Sequence, residues 1–308
     1  MVTIKEMAQE LGVSTTTVSN VIHGKTKEVS PANIERIQKI LKKYDYTPNI
    51  NARNLASKRS KIIGLLIKSK QNKIANRFED PFIGRILGAI ERHVRQKGYY
   101  LMVYAVDDVH QVQQFTMSWN MDGLITSGFV EGDIRYLKER FKNPIAIIDD
   151  YDTNGLGNCV NIRIEDEQAE YLLTKYVISC GHRKLAFLAD NLVNLDKIRF
   201  QGFCRALKEA NIPVSREENF IQIYASDAGE PQNMDEIYEK SFSYTALLCA
   251  SDYYAVHIEN MLLDRERKIP EEISIAGFDD VPISRMVRPA LTTVRQDIQA
   301  KGIAASRR

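Results

Sequence analysis

Of the 308 residues only one is tryptophan and four are cysteine. Cys159, Cys180, Cys204 and Cys249 lie far apart with no CxxC, which gives neither a disulfide framework nor a zinc site and fits buried thiols in a reducing cytoplasm. The five histidines, at 23, 93, 110, 182 and 257, show no HExxH or other ligand spacing, so no metal is expected. The N-terminus lacks an apolar signal core and no 18-residue apolar run occurs, so neither secretion nor membrane insertion is indicated. GxSxG, the Walker lysine loop and GxGxxG are all missing, as is an acid and base paired with a nucleophile. Neither catalysis nor a cofactor is expected. What is present is ordinary globular material, 44% hydrophobic and 27% charged, long enough for two or three cores.

The most informative segment is TIKEMAQELGVSTTTVSNVI, residues 3–22. Thr3 is placed to cap a helix carrying Met7, Ala8 and Leu11, and Gly12 supplies the permissive backbone that ends it. Ser14 is a second N-cap; Val18, Val21 and Ile22 form one apolar stripe, leaving Thr15, Thr16, Ser19 and Asn20 outward. Ser30-Pro31 starts a third helix with Ile34, Ile37, Ile40, Leu41 and Tyr44 on its apolar face. Three such helices suit a helix-turn-helix head that places its second helix in the DNA major groove, although capped helix pairs also pack on enzyme cores. Charge supports the DNA reading. Residues 1–61 hold 11 Lys/Arg against five Asp/Glu, net +6, leaving 31 against 35, net −4, in the remainder. A basic head is what phosphate contact requires, because each neutralised phosphate releases counterions.

After Ser60 short apolar runs alternate with amphipathic helices. The runs are IIGLLI (62–67), YYLMVYA (99–105), GLITS (123–127), IAIID (145–149), KLAFLAD (184–190), FIQIYA (220–225), ALLCASD (246–252) and ISIAGFDD (273–280). This alternation predicts parallel βαβ units, and polar segments around 150–160 divide them into two doubly wound α/β subdomains facing a cleft. Ligands of such sheets sit at the carboxyl ends of strands. Asp80, Phe82, Asp149, Ser251, Asp252, Asp279, Asp280 and Arg199 fall at or near those ends, and carboxylates, a guanidinium and an aromatic face suit a small sugar. Any one of these acids serves equally as a turn or helix cap, Asp252 and Asp280 above all.

The succession TIKEMAQELGVSTTTVSNVIHG, YTPNINARNLAS, DPFIGRILGAIE, MDGLITSG, CGHRKLAFLAD, RFQGFCRALKEANI and IPEEISIAGFDD resembles the LacI/GalR family of bacterial transcriptional repressors over nearly the whole chain. The resemblance implies an N-terminal three-helix helix-turn-helix domain over 1–48, a hinge helix and linker over 49–60, and a periplasmic-binding-protein-like effector-binding and dimerisation body over 61–308. It implies a homodimer on operator DNA, controlled by a small-molecule effector, with no membrane partner. Thr15, Thr16 and Asn20 then occupy base-contact positions; Asn20 replaces the usual Arg, exchanging a guanine reader for an adenine reader. Thr3, Ser14, Thr17, Ser19 and Asn49 fall at phosphate contacts. Leu55 holds the place of the leucine wedged into the central minor-groove step, with Ala52 and Arg53 beside it. Asp80, Phe82, Asp149, Asp166, Arg199, Ser251 and Asp279 surround the effector. Asp80 and Asp166 stand where Asn is usual and Asp150 where Arg is frequent, which points to a more negative pocket and a neutral or amino-bearing ligand.

The family's dimer surfaces would include helices 83–97 and 251–263, whose apolar stripes equally suit internal core. Family members continue beyond the helix that begins near Asp297, so a shortened C-terminus is expected here. A transport receptor with the same body and an α/β enzyme are the competing classes; the basic head and the missing catalytic motifs argue against them.

Overall fold

The computed structural model describes residues 2–47, 59–68, 78, 80–149, 157–224 and 231–307. The chain divides into two compact units, Met1–Ser60 and Lys61–Arg308.

In the first unit α1 (Ile4–Leu11), α2 (Thr15–Ile22) and α3 (Pro31–Lys43) form at the expected places. Thr3 and Glu6 make a reciprocal capping box, each side chain accepting the other's backbone N–H, at 3.2 and 2.7 Å. Gly12 ends α1 at φ +66°, a left-handed geometry that glycine adopts at little cost. Ser14 caps α2 through the Thr17 N–H at 3.0 Å, and Ser30 with Pro31 opens α3. Ala8, Val18, Val21, Val29 and Ile37 meet in one small core, each large side chain contributing about 1.5–3 kcal/mol by leaving water. The Arg36 guanidinium donates to the Leu11 carbonyl at 2.9 Å, and Lys43 and Tyr44 both donate to the Glu10 carboxylate, so α3 is tied to α1 at its surface as well.

The second unit holds two parallel sheets. The first, β1 (Ile62–Lys68), β2 (Tyr100–Val106), β3 (Gly123–Ser127), β4 (Ile145–Ile148) and β5 (Cys159–Ile162), runs in the order β2-β1-β3-β4-β5. The second, β6 (Leu185–Ala189), β7 (Phe220–Gln222), β8 (Ala246–Cys249), β9 (Ser274–Asp279) and β10 (Thr292–Arg295), runs β10-β9-β8-β6-β7. Helices cover both faces, which is why β3, β6 and β8 are buried throughout, β6 and β8 being apolar at every position. Leu65 and Ile67 pack on α4 (Pro81–Gln96) and α12 (Ile298–Ala305), while Leu66 and Leu124 pack on α5 (His110–Trp119) and α6 (Glu131–Arg140). In the second lobe, Phe187 and Leu248 meet α7 (Asp166–Ser179) and α8 (Asn194–Glu209). Ala186 and Leu247 meet α10 (Met234–Ser241) and α11 (Asp252–Asp264) on the other face. A single turn, α9 (Arg216–Asn219), precedes β7. Gly202 on α8 faces α7 so closely that a Cβ there would stand 2.1 Å from the Glu167 carbonyl oxygen.

Eight apolar runs were expected to give the strands; the described residues contain two more, CVNI and TTVR. Both lie at sheet edges, pairing on one side only, and both are part-exposed, so neither carries the apolar run of a central strand. Because β5 belongs to the first sheet, the crossing between lobes comes after Ile162 rather than inside 150–160. The chain crosses back after β10, and Ile298 and Ala305 of α12 join Leu65, Ile86 and Ile90 in the first lobe's core. The stripes of α4 (Ile83, Ile86, Ile90, Val94) and α11 (Ala255, Ile258, Leu262) are internal core, so any dimer contact uses other faces of these helices. Among the described residues no helix is long and apolar enough to cross a membrane.

Candidate functional site

The sequence pointed to two surfaces, one on each unit. On the head, Thr15 and Thr16 stand exposed in the first turn of α2, while Ser19 and Asn20 are half-buried one turn later on the same short helix. Val18 and Val21 anchor the opposite side. Thr3, Ser14 and Thr17 already serve inside the head: the Thr3 hydroxyl donates to Glu6 at 2.9 Å, and the Ser14 and Thr17 hydroxyls lie 2.8 Å apart. Asn49, Ala52, Arg53 and Leu55 lie outside the described residues, as does Asp150.

On the body, a cavity of about 190 Å³ opens between the lobes at the carboxyl ends of the strands, where a twisted parallel sheet leaves its crevice. The first lobe contributes Asp80, Phe82, Ser127 and Asp149; the second contributes Asp196, Arg199, Ser251 and Asp279, with Gln296 between them on the crossing segment. Six of the seven residues expected around an effector therefore line one space. Asp149, Asn194 and Asp279 hold positive φ angles of 58°, 51° and 121°, conformations rare outside glycine that the packing must impose and that concentrate at functional sites.

The exception is Asp166. It does not line the cavity but lies wholly buried behind Arg199, accepting from its Nε and Nη2 at 2.9 Å. Arg199 is 3% exposed; its Nη1 donates to the Ala250 carbonyl, its Nη2 lies 4.0 Å from Asp279, and its plane stacks 3.6 Å over the Phe278 ring. Burial opposes its charge, but Asp166, Asp279 and Asp196 outweigh burial and hold the guanidinium above its ordinary range. Burial also pushes the Asp279 carboxyl up to about 8, against the lowering pull of Arg199 and of the Gln296 amide it accepts from. Glu170, fully buried behind the same network with one oxygen unpartnered, is pushed by burial to about 8 as well.

Asp149 faces a cation that sequence reasoning missed. Lys301, 4% exposed, donates to both Asp149 oxygens at 2.7 and 2.8 Å and to Gln296 Oε1 at 2.7 Å. Burial raises the Asp149 carboxyl against the lowering pull of Lys301. A signal was present: Lys301 lies on the stripe Ile298, Lys301, Gly302, Ala305, where a solvated lysine has no place. With Lys301 on Asp149 and Arg199 beside Asp166 and Asp279, the cavity is less negative than the acid-rich sequence suggested.

The remaining candidates have structural duties. Asp80 caps α4 through the Phe82 N–H at 2.8 Å, and Ser251 caps α11 through the Tyr254 N–H at 3.3 Å, while both line the cavity. Asp252 accepts from the Val281 N–H at 2.9 Å and the Thr293 hydroxyl at 2.5 Å, and Asp280 is bound by Arg285 and Arg295; neither lines the cavity.

Comparison with known proteins follows the same division. The family described as "Bacterial regulatory proteins, lacI family" matches residues 3–49, and that described as "Periplasmic binding protein-like domain" matches residues 174–308. The HTH-type transcriptional repressor PurR of Actinobacillus pleuropneumoniae serotype 3 (strain JL03) is 30% identical over 313 residues, spanning 99% of this chain and 89% of its own. The ribose operon repressor of Haemophilus influenzae (strain ATCC 51907 / DSM 11121 / KW20 / Rd) is 29% identical over 304 residues, 96% of this chain and 87% of its own. The crystal structure of the lac repressor dimer bound to operator and the anti-inducer ONPF shares the fold, with a TM-score of 0.83 at 24% identity over 99% of this chain and 90% of that one.

Proposed function

The chain belongs to the LacI family of bacterial regulatory proteins, and from that membership we propose that it is a sequence-specific DNA-binding transcriptional repressor whose operator affinity is set by a small-molecule effector. It is a regulator rather than an enzyme and works in the cytoplasm. Residues 1–48 read DNA, 49–60 form the hinge, and 61–308 bind effector and dimerise. Two copies engage a pseudo-palindrome, each placing α2 in the major groove. Thr15, Thr16 and Asn20 meet base edges, and Ser19 with Thr17, Ser14, Thr3 and Asn49 positions the backbone. Ala52, Arg53 and Leu55 act in the minor groove, where Leu55 wedges the central step.

The observation that carries the reading is the joining, in one chain, of a capped helix-turn-helix head to a cleft between two α/β lobes with the Arg199 fork built into its wall. Asp80, Phe82, Asp149, Ser251 and Asp279 complete that wall, and carboxylate acceptors with guanidinium and hydroxyl donors and aromatic faces fit a polyhydroxylated ligand, a sugar. Asp166 serves by holding Arg199 rather than by touching ligand.

Selection from a randomised DNA pool at near-physiological salt tests the head. Recovery of a pseudo-palindrome with a central pyrimidine–purine step is expected, and Leu55→Ala is expected to lose affinity for it more than for random DNA. Purely salt-sensitive binding with no selected sequence contradicts the proposal.

A further inference from the structure

We propose that the effector carries a protonated amine on a small polyhydroxylated frame and that Asp196 selects it, an inference that rests on the cavity between the lobes being the effector site.

Among the described residues, Arg199 in the cavity wall and Lys301 behind Asp149 are already committed. Arg199 is engaged by Asp166, the Ala250 carbonyl and Asp279, with its face on Phe278. Lys301 is engaged by both oxygens of Asp149 and by Gln296. Among the described residues, an anionic ligand would therefore find no cation at the cavity that is not already paired. The carboxylates are not matched in the same way. Asp149 has Lys301, Asp279 accepts from Gln296 and is near Arg199, and Asp80 holds the Phe82 N–H. Asp196 lines the cavity from the first turn of α8, is only 8% exposed, and accepts no hydrogen bond among the described residues; Arg199 reaches it only through space.

Asp196 presents its carboxylate to the cavity with no donor bound to it among the described residues, and a ligand group that brings both a proton to share and the opposite charge answers it best. A hydroxyl supplies only the first; an ammonium supplies both. The faces around it agree, because Phe82, Tyr253 and Tyr254 line the same space, and aromatic faces attract cations. Ser127 and Ser251 remain for neutral hydroxyls.

The test is calorimetry on the full chain with three probe sets: D-glucosamine, D-galactosamine and D-mannosamine; the parent hexoses; and the hexose 6-phosphates. A hexosamine is expected to bind at least about tenfold more tightly than its parent hexose, and Asp196→Asn to weaken it by about tenfold to a hundredfold, the range of a charge-assisted hydrogen bond. The Asn variant keeps the side chain's size, and a cooperative melting transition shows that it is folded. Tighter binding of a hexose or a phosphate overturns the proposal, as does hexosamine binding undiminished in Asp196→Asn, or no binding by any probe. A second variant, Arg199→Met with Asp166→Asn, separates the two layers. A hexose that binds and is lost in that variant removes the amine but keeps the cavity, whereas binding indifferent to both variants removes the cavity itself.

Discussion

At the scale of single residues, the body is organised around charges buried at the strand ends. Arg199 and Asp166 form an ion pair with almost no exposure, and removing one member leaves the other charged in a low-dielectric site. Arg199→Met alone is expected to cost about 3–5 kcal/mol of unfolding free energy, and adding Asp166→Asn to recover most of it, because the pair's desolvation is relieved together. Denaturant titration of the single and double variants checks this; equal stability of both would show the pair is not coupled. Glu170 and Asp279, both pushed by burial to about 8, bind protons in the folded chain that the unfolded chain has released above the ordinary carboxylate range. Their contribution therefore declines as pH rises from about 4 to about 8. Glu170→Gln should flatten the fall in stability between pH 5 and pH 8, and an unchanged slope would place its titration elsewhere. Arg199, Asp149 and Asp279 were legible in the sequence because strand ends are where such sheets hold ligands. Lys301, Asp196 and Gln296 were not, because their place at the cleft depends on how the chain crosses between lobes and on which face of α8 turns inward.

At the scale of elements, capping decides where the head's helices begin. Thr3, Gly12, Ser14 and Ser30 act at the positions their side chains and backbone dictate, so the three-helix head could be read directly. Ser14→Ala removes the hydroxyl that accepts the Thr17 N–H, and is expected to lower stability by about 0.5–2 kcal/mol. Thermal melting would show it, and no change in melting would assign the cap's work to α2's packing alone. Central strands were equally legible, since burial on both faces forces continuous apolar runs. The edge strands β5 and β10 were not: half-covered, they keep polar residues such as Asn161 and Arg295. The apolar faces of α4 and α11 show the reverse ambiguity, for a stripe alone does not say whether it meets its own sheet or another chain.

At the scale of the whole molecule, charge is unevenly distributed, net +6 over residues 1–61 and −4 over the rest. That asymmetry suits a head drawn to phosphate and a body that is not. On the proposed reading the two lobes move about the crossing segments, effector binding favours one arrangement, and the difference reaches the head through the hinge. Linkage then requires that DNA and effector each alter the other's affinity by the same factor.

The most direct measurement of that claim is a reporter gene placed behind the palindrome selected by the protein and grown on a panel of carbon sources. Repression by the unaltered chain should change with at least one source. The Arg199→Met, Asp166→Asn variant should bind the same palindrome with unchanged affinity in vitro, yet repress to the same extent on every source. A variant that still responds as the unaltered chain does would contradict the account, because the cleft would then not be where the signal enters.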